Sequence, residues 1–470
     1  MTRRRSPLIL SLLALACTMP VLAEARPAVK AVQNGAATTR LAFPGAVGWA
    51  ANTPGGRGGK VIRVTTLAAD GPGSFKAALE AKGPRIIVFE VGGVIDMGRQ
   101  TLTIKEPFVT IAGQTAPSPG ITLIRTGIDV ATHDVVMRHI RIRTGVDGQP
   151  KLSGWEADAM STVKAHNVII DHCTFTWAID ENMSASGPRF EGKTPEEWRR
   201  NTSHAITFSY NLAAEGLAEA SHPKGEHSKG TLIHDNATEI LIYRNIYAHN
   251  KERNPLVKGG GQVELVNNLL YDPGERAVHY NLMALEWGDY PYQNGKLSAV
   301  GNVLRGGPST AADMPFLMLG GDGDLDYYGK DNIAVDKWGK PLPMFGRYGE
   351  TRAKLNEVST PPIWWEGTQI LPTRDVETHV LAHAGARPWD RDADDLRILF
   401  FVAEGRGEIL DDEKQVGGYP NMASTRAPFV EADWNLDIME PKSGHYPGQK
   451  AVSAEHLSDR DKMMRQGGNP

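Results

Sequence analysis

A right-handed parallel β-helix, a solenoid of short stacked strands, is the fold class this sequence predicts, and three observations predict it. A short segment of fixed form recurs along the chain. An asparagine stands at one place in most of its copies. The 50 glycines and 30 prolines, with few long helical patterns, leave room for many turns between short strands.

The recurrent segments are "VVMRHIRI", "VIIDHCTF", "ITFSYNLA", "ILIYRNIY", "VELVNNLL", "LSAVGNVL" and "YYGKDNIA". Their sixth positions are Ile140, Cys173, Asn211, Asn245, Asn268, Asn302 and Asn332, spaced by 33, 38, 34, 23, 34 and 30 residues. That spacing is too irregular for ankyrin or tetratricopeptide arrays, but it suits loops of variable length around a fixed strand. Alternating apolar positions put those side chains on one face of each strand. In stacked coils, an asparagine at an internal turn can bond the asparagines above and below it, which satisfies polar groups in a buried column.

The elements follow in order. "MTRRRSPLILSLLALACTMPVLAEA" runs from arginines through an apolar stretch to the small-residue pattern Val21, Leu22, Ala23. It reads as a signal peptide over residues 1–23, followed by a flexible N-terminus over 24–40. Pro7 and Pro20 interrupt the apolar stretch and no second one of spanning length follows, so no membrane association is expected after cleavage. The mature chain is expected to be secreted or periplasmic, and monomeric. Arg3-Arg4 leaves twin-arginine export open, and Cys17 leaves lipoprotein anchoring open. Without Cys17, Cys173 is alone and no intrachain disulfide can form. Loss of the three leader arginines moves the net charge from −4 to −7, which argues against nucleic acid as a partner.

"GPGSFKAALEAKGP" supplies an N-terminal capping helix: Ser74 as N-cap, Phe75, Ala78 and Leu79 on one face, Gly83-Pro84 as the stop. Such a cap covers the open end of a solenoid. "RIIVFEVGGVI" and "FVTIAGQTAPSPGITLI" read as early coils, and residues 41–340 form the β-helix domain. Residues 341–470 read as a C-terminal extension that wraps and packs on the β-helix, with short helices over Val376–His383 and Asp392–Val402 and a polar, partly disordered tail.

Charge is patterned too. "GWEADAMSTV" places Glu156 and Asp158 two apart, on one face of a strand, and "TWAIDENMSA" adds Asp180 and Glu181 one coil further on. Carboxylates brought together by stacking repel unless a cation sits among them, and oxygen-only ligands suit calcium. A solvated acidic face is the competing reading. The run from Asp322 resembles an EF-hand loop only at its start, since Tyr327 and Ile333 occupy the required glycine and glutamate positions. His222, His227, His234 and His249 lack the spacing of a zinc motif. Lys224 and Lys229 come one coil before Arg253 and Lys258 of "KERNPLVKGG". An acidic coil edge followed by two cationic ones describes a groove for a polyanion, and an acidic polysaccharide is the expected ligand.

The runs "ADAMSTVKAHNVIIDHCTF", "ITFSYNLAAEGL", "HSKGTLI", "ILIYRNIYAHNKERNPLVKGG" and "VELVNNLLYD" together resemble the pectate lyases of polysaccharide lyase family 1, over about residues 41–340. The resemblance implies an enzyme that cleaves plant pectate (polygalacturonate) by β-elimination. It implies Arg253, in Arg253-Asn254-Pro255, as catalytic base, and Lys258, where an arginine is usual, and Lys229 as substrate-binding residues. It further implies Ca²⁺ as cofactor, on Glu156, Asp158 and Asp180. The fourth carboxylate position of the family falls on Ser184, with Glu181 as the nearby carboxylate that could compensate. Two other classes stay open. A β-helix glycoside hydrolase needs two carboxylates across the scissile bond, for which Asp171, Asp180 and Glu181 are candidates. A noncatalytic carbohydrate-binding solenoid needs neither.

Overall fold

The computed structural model describes residues 40–449. The leader and all but the last residue of the N-terminal arm, with Cys17, lie outside that range, as does the end of the tail. Three sheets of 11, 10 and 9 strands are built by parallel pairing of one coil on the next, apart from Thr425–Arg426, which joins the 10-stranded sheet antiparallel. The architecture is the parallel β-helix that the repeat predicts. One coil consists of His166–Asp171 on the first sheet, Thr174–Thr176 on the second and Glu181–Ser186 on the third. The next coil repeats this as His204–Ser209, Leu212–Ala214 and Lys229–Ile233, and the one after as Thr238–Tyr243, Ile246–Ala248 and Leu256–Lys258. Coils continue to Leu355–Glu357.

Inward-facing Val, Ile, Leu and Phe from all three sheets fill one continuous core, which includes Val168, Ile170, Phe175, Met183, Ile206 and Ile240. The asparagine column sits inside the corner between first and second sheets. The Oδ1 atoms of Asn211, Asn245, Asn268, Asn302 and Asn332 accept in turn from the backbone N–H of Cys173, Asn211, Asn245, Asn268 and Asn302, at 2.8 to 3.0 Å. Asn211, Asn245, Asn268 and Asn302 also donate from Nδ2 to a strand carbonyl of the preceding coil. The residue just before each sixth position turns the corner in the left-handed region: His139, His172, Tyr210, Arg244, Asn267, Gly301 and Asp331 have φ between 50° and 63°. For residues with a Cβ this conformation costs roughly 1–2 kcal/mol, and in the five later coils the bonded asparagine that follows offsets it.

Ser74 caps the helix Phe75–Glu80 by accepting from Ala77 N at 3.2 Å, and Phe75, Ala78 and Leu79 are buried against the first coils. Near the other end of the sequence, helices Thr373–His383 and Ala393–Glu404 lay Val376, Val380, Ile398 and Val402 on the outward Leu212, Ile246, Leu269 and Tyr271 of the second sheet. Buried Arg143 anchors the second of them through Asp392 (2.8 Å) and Asp395 (3.1 Å). Asp322 and Asp324 of the EF-hand-like run accept from Ala284 N and Lys354 N, so both act as turn and helix caps. No helix among the described residues is long and apolar enough to cross a membrane.

Candidate active site

The site lies at the start of the third-sheet strands, where the loops arriving from the second sheet meet. Sheet register sets its frame: Ser161 opposes Ser184, Glu181 opposes Lys229, and Lys229 forms an isolated bridge with Glu252 one coil on. The loops differ in length from coil to coil. Residues thus stack even where the sequence around them does not repeat.

Asp158, Asp180 and Glu181 each place a carboxylate oxygen within 4.8 Å of the others. Asp158 accepts from Glu181 N at 3.0 Å and from Ser184 Oγ at 2.7 Å, and Ser184 meets Ser161 Oγ at 2.7 Å. Burial, with Asp180 beside it, pushes the Asp158 carboxyl up to about 8. Near neutral pH the trio therefore calls for a proton or a cation among its oxygens. An all-oxygen donor set of this kind fits calcium. Ser184 contributes a hydroxyl where the resemblance implies a fourth carboxylate, and it supports Asp158 through its hydrogen bond. Glu156 lies apart from the trio: its Oε2 is 2.9 Å from His222 Nε2.

Arg253, in the left-handed region at φ 62° and followed by a cis Asn254-Pro255 peptide, points its Nη1 at Glu181 two coils back. Burial lowers its pKa, while Asp180 and Asp158 oppose that shift. Lys229 is buried, with Nζ 3.9 Å from Glu252 Oε1, and burial lowers its pKa against Glu252 and Asp180. Lys258 is paired with Glu286 on the short helix Ala284–Trp287. Lys224, read as part of the cationic edge, leaves its side chain exposed.

Several neighbours were not read from the sequence. Glu252, adjacent to Arg253, accepts from Arg276 Nε at 2.8 Å; burial raises its pKa, but His279 and Arg276 prevail and hold it low. Arg276 also lies over the Tyr348 ring at 4.8 Å. His279 is buried, which lowers it to about 3. Two of the four histidines set aside for their spacing do meet: His222 and His227 join Asp180, with ring nitrogens and a carboxylate oxygen within 4.8 Å. The loop of residues 215–228 folds back on itself and brings them there, which linear spacing does not reveal. The hydrolase candidate Asp171 lies on the first sheet. Burial would raise it, but His172 and Arg138 prevail and hold it at about 2, with Arg138 Nε at 3.0 Å.

Comparison with known proteins adds an independent line. A family model described as "Pectate lyase" matches residues 8–285. "Probable pectate lyase C" of Neosartorya fischeri is 31% identical over 430 residues, covering 90% of this chain and 92% of that protein. The protein of the same name from Emericella nidulans is 36% identical over 418 residues, covering 87% and 88%.

Proposed function

The chain belongs to the pectate lyase family, and from that premise we propose that it is a polysaccharide lyase that cleaves (1→4)-linked galacturonan, leaving 4,5-unsaturated uronide ends. The observation that carries this reading is the contact of Arg253 with the carboxylate trio, with Lys229 in register beside Glu181. That juxtaposition supports a bound cation, a base candidate and a carboxylate-binding ammonium acting on one sugar ring.

In β-elimination the C5 proton leaves, electrons pass to the C4=C5 bond, and the C4–O bond breaks. Calcium held by Asp158, Asp180 and Glu181 would neutralise the uronate carboxylate and so acidify that proton. Lys229 and Lys258 are assigned to substrate carboxylates, each as a buried or half-shielded point charge. Arg253 is assigned the C5 proton. An arginine is ordinarily protonated, and burial is what favours its neutral form here. An alkaline optimum follows, since the base form grows with pH. Export by the residue 1–23 leader would bring the enzyme to plant polysaccharide outside the cell.

The test is digestion of polygalacturonate with ultraviolet absorbance and reducing ends followed together. A lyase yields both. Reducing ends without absorbance would mean a hydrolase, although Asp171 is committed to Arg138; binding without either would mean a carbohydrate-binding solenoid. Arg253→Ala should lower kcat by about 10² or more with the circular dichroism spectrum of the fold kept and the melting temperature lowered by loss of the Glu181 ion pair, and chelation should abolish turnover.

A further inference from the structure

The Asp180 carboxylate has a second face. The carboxylate belongs to the oxygen trio with Asp158 and Glu181 and also to a group with His222 and His227, with one histidine beside each of its oxygens. His227 is 5% exposed, and its Nδ1 lies 2.9 Å from Gly225 O. A carbonyl only accepts, so Nδ1 carries the ring proton and Nε2 of the neutral ring holds a lone pair. That Nε2 lies 3.5 Å from Asp180 Oδ1. Two electron-pair donors thus face each other in a confined place. His222 has the opposite tautomer: its Nδ1 accepts from Lys224 N at 3.1 Å, so Nε2 bears the proton. This Nε2–H is fully buried, with Glu156 Oε2 at 2.9 Å and Asp180 Oδ2 at 3.4 Å but in hydrogen-bond geometry with neither.

We infer that His227 Nε2 and Asp180 Oδ1 form a nitrogen–oxygen seat for a late first-row divalent ion such as Zn²⁺, Co²⁺ or Cu²⁺, next to the oxygen-only cluster and sharing Asp180 with it. Bonds of about 2.0–2.1 Å in a tetrahedral shell put two ligand atoms about 3.4 Å apart, close to the 3.5 Å found. Imidazole suits these ions and not calcium, which takes oxygens. The hydrogen bond from His227 Nδ1 to Gly225 O is the kind of support a metal-binding histidine uses to fix its tautomer and ring. The two kinds of ion compete for Asp180, so a late metal would displace calcium from the trio without touching Asp158 or Glu181. The inference does not rest on the lyase reading, because it concerns ion binding by the substrate-free chain.

The experiment titrates the metal-free full chain with Zn²⁺ by calorimetry, with and without Ca²⁺, and records electron paramagnetic resonance with one equivalent of Cu²⁺. The unmodified chain should show imidazole nitrogen coupling on copper, and Zn²⁺ binding should weaken as Ca²⁺ is raised. Loss of a mere supporting partner costs about 10- to 100-fold in metal affinity, so His227→Gln should lower Zn²⁺ affinity about tenfold or more and remove the nitrogen signal, with Ca²⁺ affinity kept. His234→Gln should change neither. All-oxygen coordination in the unmodified chain would overturn the inference whatever the variants do. So would Zn²⁺ affinity and nitrogen coupling that survive in His227→Gln.

Discussion

Replacing Asn245 by alanine tests the asparagine column where it is most buried. Asn245 is wholly inaccessible, and its Oδ1 accepts from Asn211 N at 2.8 Å and Asn211 Nδ2 at 3.1 Å. Its Nδ2 donates to Phe208 O at 2.9 Å and Asn268 Oδ1 at 3.0 Å. Asn211 Nδ2 keeps Ile170 O, and Asn268 Oδ1 keeps the Asn245 backbone N–H. The loss thus falls on the Asn211 N–H, buried and left without its acceptor at about 1–3 kcal/mol, and on Phe208 O, which loses one bond at about 1 kcal/mol. We expect Asn245→Ala to cost about 2–4 kcal/mol. Asn332→Ala removes the same pattern of bonds, to Asn302 N, Asn302 Nδ2 and Ala299 O. Asn332 is only partly buried, between exposed Asp331 and Ile333. Water can replace the bonds there, and about 1 kcal/mol or less is expected. Urea denaturation followed by circular dichroism gives both costs, and hydrogen exchange of the Asn211 amide localises the first. Equal costs for the two variants, or undiminished protection of that amide in Asn245→Ala, would refute the reasoning.

Two further predictions concern the site. Because Asp158 is raised to about 8 from an ordinary carboxyl value of about 4, the folded chain binds more protons than the unfolded one between these limits. Stability of the metal-free chain should therefore fall as pH rises from about 4 to 8, and added Ca²⁺ should raise the melting temperature more at pH 8 than at pH 5. Asp158→Asn should flatten both trends, and a pH-independent calcium effect in the unmodified chain would contradict the assignment. Glu286 holds Lys258 in a part-exposed ion pair, so Glu286→Gln should free the ammonium for substrate and lower KM about two- to fivefold, with kcat little changed. A raised KM would mean instead that Glu286 positions Lys258.

Much of the site was legible because stacking is a rule that sequence can apply. Once a coil is recognised, Glu181, Lys229 and the Arg253 region fall on successive coils of one sheet, and the carboxylates of two neighbouring coils must meet. Glu156 and Lys258 show where this runs out. Glu156 stands in a loop, and the fold turns it toward His222 and away from the trio. Lys258 stays on its strand, but Glu286, 28 residues later, occupies it.

By itself the sequence determined the solenoid, its capping helix and the buried asparagine column, since strand period and a single internal turn residue are local properties repeated coil after coil. It also put Glu181 and Lys229 on successive coils of one sheet. Tertiary structure alone decided what the connecting loops do. The left-handed corners are occupied mostly by residues other than glycine, so composition gave no sign of them; the bonded asparagines make them tolerable. The meeting of His222 and His227 with Asp180 depends on how the loop between the second and third sheets folds back on itself, with His227 N donating to Ala218 O, a path for which linear spacing carries no information.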